Sequence, residues 1–268
     1  MVKAKLIAWL VAGFAVLSNG FAPAAPVTVR HTEGVVHGFL GLRTMEGTRL
    51  AAGDLIQIAR GDRVTSRVVF HFRDGSTHDE TAVFSQRGRF RLVSYRLIEK
   101  GPTFPMPIEM SIDSATNRAT VRYANEHGES KIADEHVEMP PDVANGLIFT
   151  LLKNVRPGSE VPEVSMIAAT PKPRLVKLAI TAEGEDSLSI GGTARMASHY
   201  VVKVKIGGMS GLLAPLLGKQ PPDVHVWILG GEAPTFVKAE GPLYLGGPSW
   251  RIELVSPVWP SARLSEPQ

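Results

Sequence analysis

The chain has 268 residues, no cysteine and nearly balanced charge, with 29 Lys and Arg against 26 Asp and Glu. The lack of cysteine excludes disulfides, thiolate metal sites, thiol catalysis and the lipid-modified cysteine of a bacterial lipoprotein. The balanced charge excludes the basic footprint that nucleic-acid binding needs, and the length suffices for one sizeable core, or two small ones, without disulfide support.

The first 24 residues have the three-part pattern of a secretory signal peptide. A positive start is followed by an uncharged apolar run from Leu6 to Leu17, and small residues precede a cleavage site after Ala24. The alternative is an uncleaved anchor, but a membrane-spanning helix needs about 20 apolar residues. We therefore expect residues 1–24 to be removed and the mature protein to be periplasmic or secreted.

Short apolar runs with a period of two, separated by Gly and Pro, predict a single β-rich domain over residues 25–256 and a flexible tail over 257–268. The clearest run is Arg63–Phe72, and the Asp74-Gly75 pair after it is a strong hairpin signal. A second run, Arg89–Lys100, is predicted to present one face made of Phe90, Leu92, Ser94, Arg96 and Ile98. The predicted strands are 55–60, 63–72, 77–86, 89–100, 108–113, 118–124, 129–137, 164–169, 174–181, 198–206, 224–229, 235–240 and 249–256.

Two short apolar helices interrupt this pattern. Pro140-Pro141-Asp142 is predicted to open the first, which ends at residues 156–158. Residues 209–217 are predicted to form the second helix, or a lid. These helices either pack on the sheet as ordinary core or line a hollow that holds an acyl chain. The predicted fold is therefore mainly β, a curved antiparallel sheet or open β-barrel with one or two short helices packed in or across its mouth.

The sequence contains few candidates for chemistry. His71 and His78 flank a hairpin turn and are interpreted as solvated residues, with a metal site as the alternative. The Gly-rich stretch 207–211 lacks the spacing of a nucleophile elbow and is interpreted as a turn or lid. Residues 183–186 are interpreted as a solvated hairpin tip, with a weak calcium site as the alternative. We predict no catalytic residue, metal or cofactor.

Several segments carry a resemblance to a known family. They are the helix over 143–152 with the following Asn154-Val-Arg-Pro-Gly158, the strand pairs over 174–206, and the closing strand from Val224 through Trp227. In these segments the chain resembles the exported bacterial family called domain of unknown function 3108. The resemblance implies an open β-barrel like that of lipoprotein carriers, in which a curved sheet wraps around apolar helices and accepts acyl chains. It implies no catalytic residues.

These features favour a periplasmic lipid- or lipoprotein-binding, carrier-like protein with a hydrophobic hollow. One alternative is an envelope scaffold or protein-interaction domain without a bound ligand. Another is a hydrolase or isomerase whose polar groups converge in the hollow. The expected partners are a lipid or acyl chain and an envelope protein, with no nucleic acid and no membrane span after signal cleavage. The expected ligand-binding residues are Phe70, Leu147, Ile148, Leu151, Leu152, Leu213, Leu216 and Trp227.

Overall fold

The computed structural model describes residues 27–125, 127–156, 158–190, 192–205 and 221–256. Within these ranges a 14-stranded antiparallel sheet is accompanied by a single short helix, α1, over Ile148–Lys153. The strands are β1 Val36–Thr44, β2 Arg49–Arg60, β3 Arg63–Phe72, β4 Thr77–Ser85, β5 Arg91–Lys100, β6 Ile108–Asp113, β7 Arg118–Ala124, β8 Ser130–His136, β9 Val164–Ala168, β10 Arg174–Ile190, β11 Thr193–Lys205, β12 Val224–Leu229, β13 Thr235–Pro242 and β14 Ser249–Val255.

Two meanders make up the sheet. Strands β1 to β8 run in order from the middle of the sheet to one edge, and β9 to β14 run from the other edge back to the middle. The halves are joined where β1 pairs with β14, with Leu42 opposite Ile252. Within the described ranges β8 and β9 remain the two edges, so the sheet is not closed into a barrel. The predicted mainly β, curved antiparallel fold is confirmed.

The sheet curls around the connection from β8 to β9. One buried apolar cluster contains Phe70 of β3, Val226 of β12 and Leu151 of α1. Its members come from both halves of the sheet, because β3 and β12 lie on opposite sides of the β1–β14 junction. Successive side chains of a strand point to opposite faces, so one face of each half can meet the other across a shared core. The connection carries α1, whose Leu151 and Leu152 are buried in that core.

The predicted helix is shorter in the structure than the sequence indicates. The segment before α1 pairs with β9, because the Ser165 N–H donates to the Asp142 carbonyl at 3.1 Å and the Ala144 N–H donates to the Ser165 carbonyl at 2.8 Å. Gly146 then adopts a φ of 69°, which a helix cannot contain and which favours glycine. These backbone bonds and this turn delay the helix until Ile148, so its predicted start is wrong.

Strand β5 contains a β-bulge that the sequence does not reveal. Phe84 of β4 pairs with Leu92, but its neighbour on β4 pairs with Ser94, so Val93 has no partner across that ladder. One extra residue reverses the alternation of faces beyond it. The predicted grouping of Ser94, Arg96 and Ile98 with Leu92 is therefore wrong. The buried face beyond the bulge consists of Tyr95, Leu97 and Glu99.

The hairpin formed by β10 and β11 is longer than predicted. Residues 183–186 lie inside β10 rather than at the hairpin tip: Gly184, Glu185 and Asp186 pair with β11, and Glu183 lies where the register shifts. They are exposed, as expected for solvated residues. The predicted strand 174–181 ends too early because residues 181–187 are exposed and lack the apolar alternation that marks a half-buried strand.

Several expectations concern residues outside the described ranges. These are the signal segment 1–24, the lid 209–217 with Leu213 and Leu216, and the tail 257–268. Among the helices of the described part of the chain, none is long and apolar enough to cross a membrane.

Candidate functional site

A cavity of about 860 Å³ lies between the two halves of the curled sheet. We call it the hollow. One wall comes from β1 to β4, the other wall from β9 to β14, and α1 also lines the cavity. Ligand sites in proteins are concave, mostly apolar and about 300–1,000 Å³ in volume, so the hollow has the size of a binding site. Its apolar lining includes Leu55, Val68, Ile148, Leu178, Val202 and Val224.

The helix is fixed against the carboxy-terminal half by an aromatic pair. Phe149 of α1 stacks on Phe236 of β13 with ring centroids 4.2 Å apart and an interplanar angle of 21°. Both rings also line the hollow. Stacked aromatic pairs contribute about 0.5–1.5 kcal/mol beyond their buried area, so this contact holds one side of the hollow in place.

A polar network interrupts the apolar wall. The Lys153 ammonium lies 2.7 Å from both carboxylate oxygens of Glu33, and the Gln57 amide donates to the same carboxylate at 2.6 Å. The Glu33 side chain is 5% exposed and that of Lys153 is 16% exposed. An ammonium has three donors, so Lys153 can offer a further hydrogen bond to a molecule in the hollow while it neutralises Glu33.

Sequence reasoning missed this network because its two charged members are far apart in the chain. Glu33 precedes β1, and Lys153 is the last residue of α1. One sequence signal points to it. Gln57 occupies a position of β2 that the alternation assigns to the buried face, and a polar residue there needs a partner.

Six of the eight predicted ligand-binding residues lie in the described part of the chain, and the structure places them in three locations. Ile148 lines the hollow. Trp227 belongs to a separate cluster with Ala197 and Val237, on the opposite face of the sheet. Leu213 and Leu216 lie outside the described residues. The others are buried in the core around the hollow without lining it: Phe70, Leu147, Leu151 and Leu152.

Trp227 is the centre of a polar cluster on the outer face. Its indole N–H donates to Asp186 at 2.8 Å, and the His199 ring stacks on it at 4.4 Å. His199 Nε2 lies 2.9 Å from His225 Nδ1, and the Lys238 ammonium lies 3.7 Å from the Trp227 ring centroid. Burial lowers the pKa of His199 below its ordinary value, although Asp186 opposes that shift.

The two histidines of the predicted hairpin are separated by the sheet. His71 is exposed, whereas His78 is buried on the other face and lies 3.1 Å from Glu99. The β5 bulge turns Glu99 toward it. The interpretation of His78 as a solvated residue is therefore wrong. In the described ranges, no group of three or more His, Asp or Glu residues is arranged to hold a metal ion.

The curled sheet and its hollow define a β-barrel-like domain. No protein-family model matches the chain and no curated protein matches its sequence, so the resemblance to domain of unknown function 3108 is not confirmed. Among solved structures, the chain is similar to a β-barrel-like protein of domain of unknown function DUF1849 from Brucella abortus. The TM-score is 0.49 and the identity 9%, over 85% of this chain and 100% of that one. A likeness at this level carries no argument about ligand or activity.

Proposed function

We propose that the protein binds an apolar or acyl-chain-bearing molecule in the hollow, as a lipid- or lipoprotein-binding, carrier-like protein of the periplasm. The observation that carries this proposal is a cavity of about 860 Å³ whose lining comes from both halves of the sheet and from α1. The location rests on the signal-like pattern at the start of the sequence.

The hydrophobic effect supplies the driving force for such binding. Burial of apolar surface contributes roughly 25 cal/mol per Å², and an acyl chain between Leu178, Val202 and Ile148 would leave water along its length. Met166 also lines the hollow, and its flexible thioether side chain suits walls that accept chains of different shape.

Filling the hollow tests this proposal. Val68 on β3 and Val224 on β12 line opposite walls and are only half-buried, so Val68→Trp with Val224→Trp places two indoles in the cavity. The control is Ile132→Trp, at a residue of β8 that is 59% exposed and does not line the hollow. The probe is cis-parinaric acid, a fatty acid whose fluorescence rises on transfer from water to an apolar site.

We expect saturable binding to the wild type and the control, and at least tenfold weaker binding to the double variant. Circular dichroism establishes that each variant is folded. Failure of the wild type to bind the probe, or equal binding by the folded double variant, would overturn the proposal and favour the alternative of an envelope scaffold without a ligand.

A further inference from the structure

A second, smaller cavity of about 340 Å³ is rich in arginine. Arg30, Arg89 and Arg156 all line it, and Glu160 is the single carboxylate among its described lining residues. We call it the arginine cavity. Three guanidinium groups against one carboxylate leave it with an excess of positive charge.

Among the described residues, the guanidinium groups of the arginine cavity have few partners that would compete with a ligand. In the described part of the chain, no carboxylate lies within ion-pair distance of any of the three. Arg30 Nη1 donates to the Val155 carbonyl at 3.1 Å, which uses one of the five donors of that side chain. Most of the guanidinium donors around this cavity therefore have no partner among the described residues and can bind an anion.

The arginine cavity adjoins the hollow at Arg30, which lines both. This residue is held at the end of α1, because Asn154 Oδ1 accepts hydrogen bonds from the backbone N–H groups of Arg30 and His31 at 2.7 Å each. Asn154 itself is buried and follows Lys153, the cation in the wall of the hollow. The two cavities therefore lie next to each other, with Arg30 in the lining of both.

We propose that the arginine cavity binds the phosphoryl head group of an amphiphile whose chain occupies the hollow. This inference rests on the proposed function and names its ligand class. Guanidinium groups bind phosphate oxygens through paired N–H donors, and such charge-assisted bonds are about twice as strong as neutral ones. The same excess of positive charge repels a cationic head group and gives a neutral one no comparable partner.

The test compares two ligands that carry the same chain. Oleoyl lysophosphatidic acid has a phosphate monoester head, and monoolein has a neutral glycerol head. Binding of each, below its critical micelle concentration, is measured by displacement of cis-parinaric acid from the wild type and from the double variant Arg89→Gln, Arg156→Gln. The control variant is Arg87→Gln, because Arg87 is an exposed arginine near Asp62 that lines neither cavity.

We expect the wild type and the control to prefer the phosphorylated ligand by at least about tenfold, the effect of one charge-assisted hydrogen bond. The double variant should lose that preference and keep its affinity for monoolein. Inorganic phosphate should compete with the phosphorylated ligand only.

Other outcomes separate the two proposals. Equal binding of both ligands by all three proteins would overturn the head-group site and leave the hollow as a chain-binding site. Inorganic phosphate that binds without competing with the phosphorylated ligand would place free phosphate, rather than a lipid head, in the arginine cavity and would also overturn this inference. Binding of neither ligand by the wild type would overturn the proposed function itself.

Discussion

At the scale of single residues, the wall of the hollow contains a buried ion pair. Glu33 is buried and its charge is compensated by Lys153 and by the amide of Gln57. Removing one partner of a buried pair is costly because it leaves the other charge without compensation, whereas replacing both by apolar groups is often nearly neutral.

We predict that Lys153→Met lowers the free energy of unfolding by about 3–5 kcal/mol, the usual cost of breaking a buried pair. The double variant Lys153→Met, Glu33→Leu should recover part of that loss, because no unpaired charge stays buried but the Gln57 amide loses its acceptor. Urea unfolding measures both. The matched control is Lys131→Met, because Lys131 pairs with Glu129 where both side chains are about half exposed. It should change stability by less than about 1 kcal/mol. A Lys153→Met protein as stable as the control would contradict this account of the network.

A second prediction concerns the pH dependence set by His199. Burial depresses its pKa in the folded state, so the unfolded chain binds the proton first as the pH falls below about 6.5. The stability that His199 contributes is therefore present above about pH 6.5 and is lost as the pH falls toward its folded pKa.

The variant His199→Phe keeps a ring against Trp227 and removes this titration. The loss of stability between pH 7.5 and pH 5.0 should be smaller in the variant, by less than about 1 kcal/mol because the residue is only partly buried. Urea unfolding at the two pH values measures the difference. A steeper loss of stability in the variant would show that folding does not lower the pKa of His199.

At the scale of elements, the bulge in β5 decides which side chains enter the core. Val93 is the extra residue, and Phe84 and its neighbour on β4 pair with the residues on either side of it. Deleting the bulged residue leaves every other side chain of β5 on its present face. Deleting a residue beyond the bulge instead moves the remaining side chains to the opposite face.

We predict that the protein without Val93 folds and loses about 1–2 kcal/mol, since the Ser114 N–H loses its bond to the Val93 carbonyl. Deletion of Ile98 should be far more damaging, because it turns Glu99 away from His78 and brings Lys100 toward the core. Thermal unfolding followed by circular dichroism compares the two deletions. Equal stability of the two proteins would contradict the assigned register.

The elements also show what local sequence patterns can predict. Strands β3, β6, β7 and β12 have their predicted bounds, because apolar alternation and turn residues mark both of their ends. The bulge at Val93 and the extended segment before α1 were not predictable in the same way. Each depends on a partner strand, β4 for the first and β9 for the second, whose position the local sequence does not contain.

At the scale of the whole molecule, the hollow is a product of long-range pairing. The sequence predicts a curved antiparallel sheet with an apolar helix near it, and the fold has this form. The walls could not be assigned in advance, because Val68 and Leu178 meet across the cavity only when β1 pairs with β14. The prediction therefore named core residues such as Phe70 and Leu152 alongside Ile148, which lines the hollow.

The proposed function requires that an acyl-chain-bearing molecule occupies the hollow in the cell. Native mass spectrometry of protein purified from the envelope, followed by organic extraction, tests it most directly. We predict one co-purifying lipid per chain in the wild type and in Ile132→Trp, and none in the Val68→Trp, Val224→Trp double variant. A wild-type protein that emerges without lipid, or a folded double variant that retains it, would contradict the account.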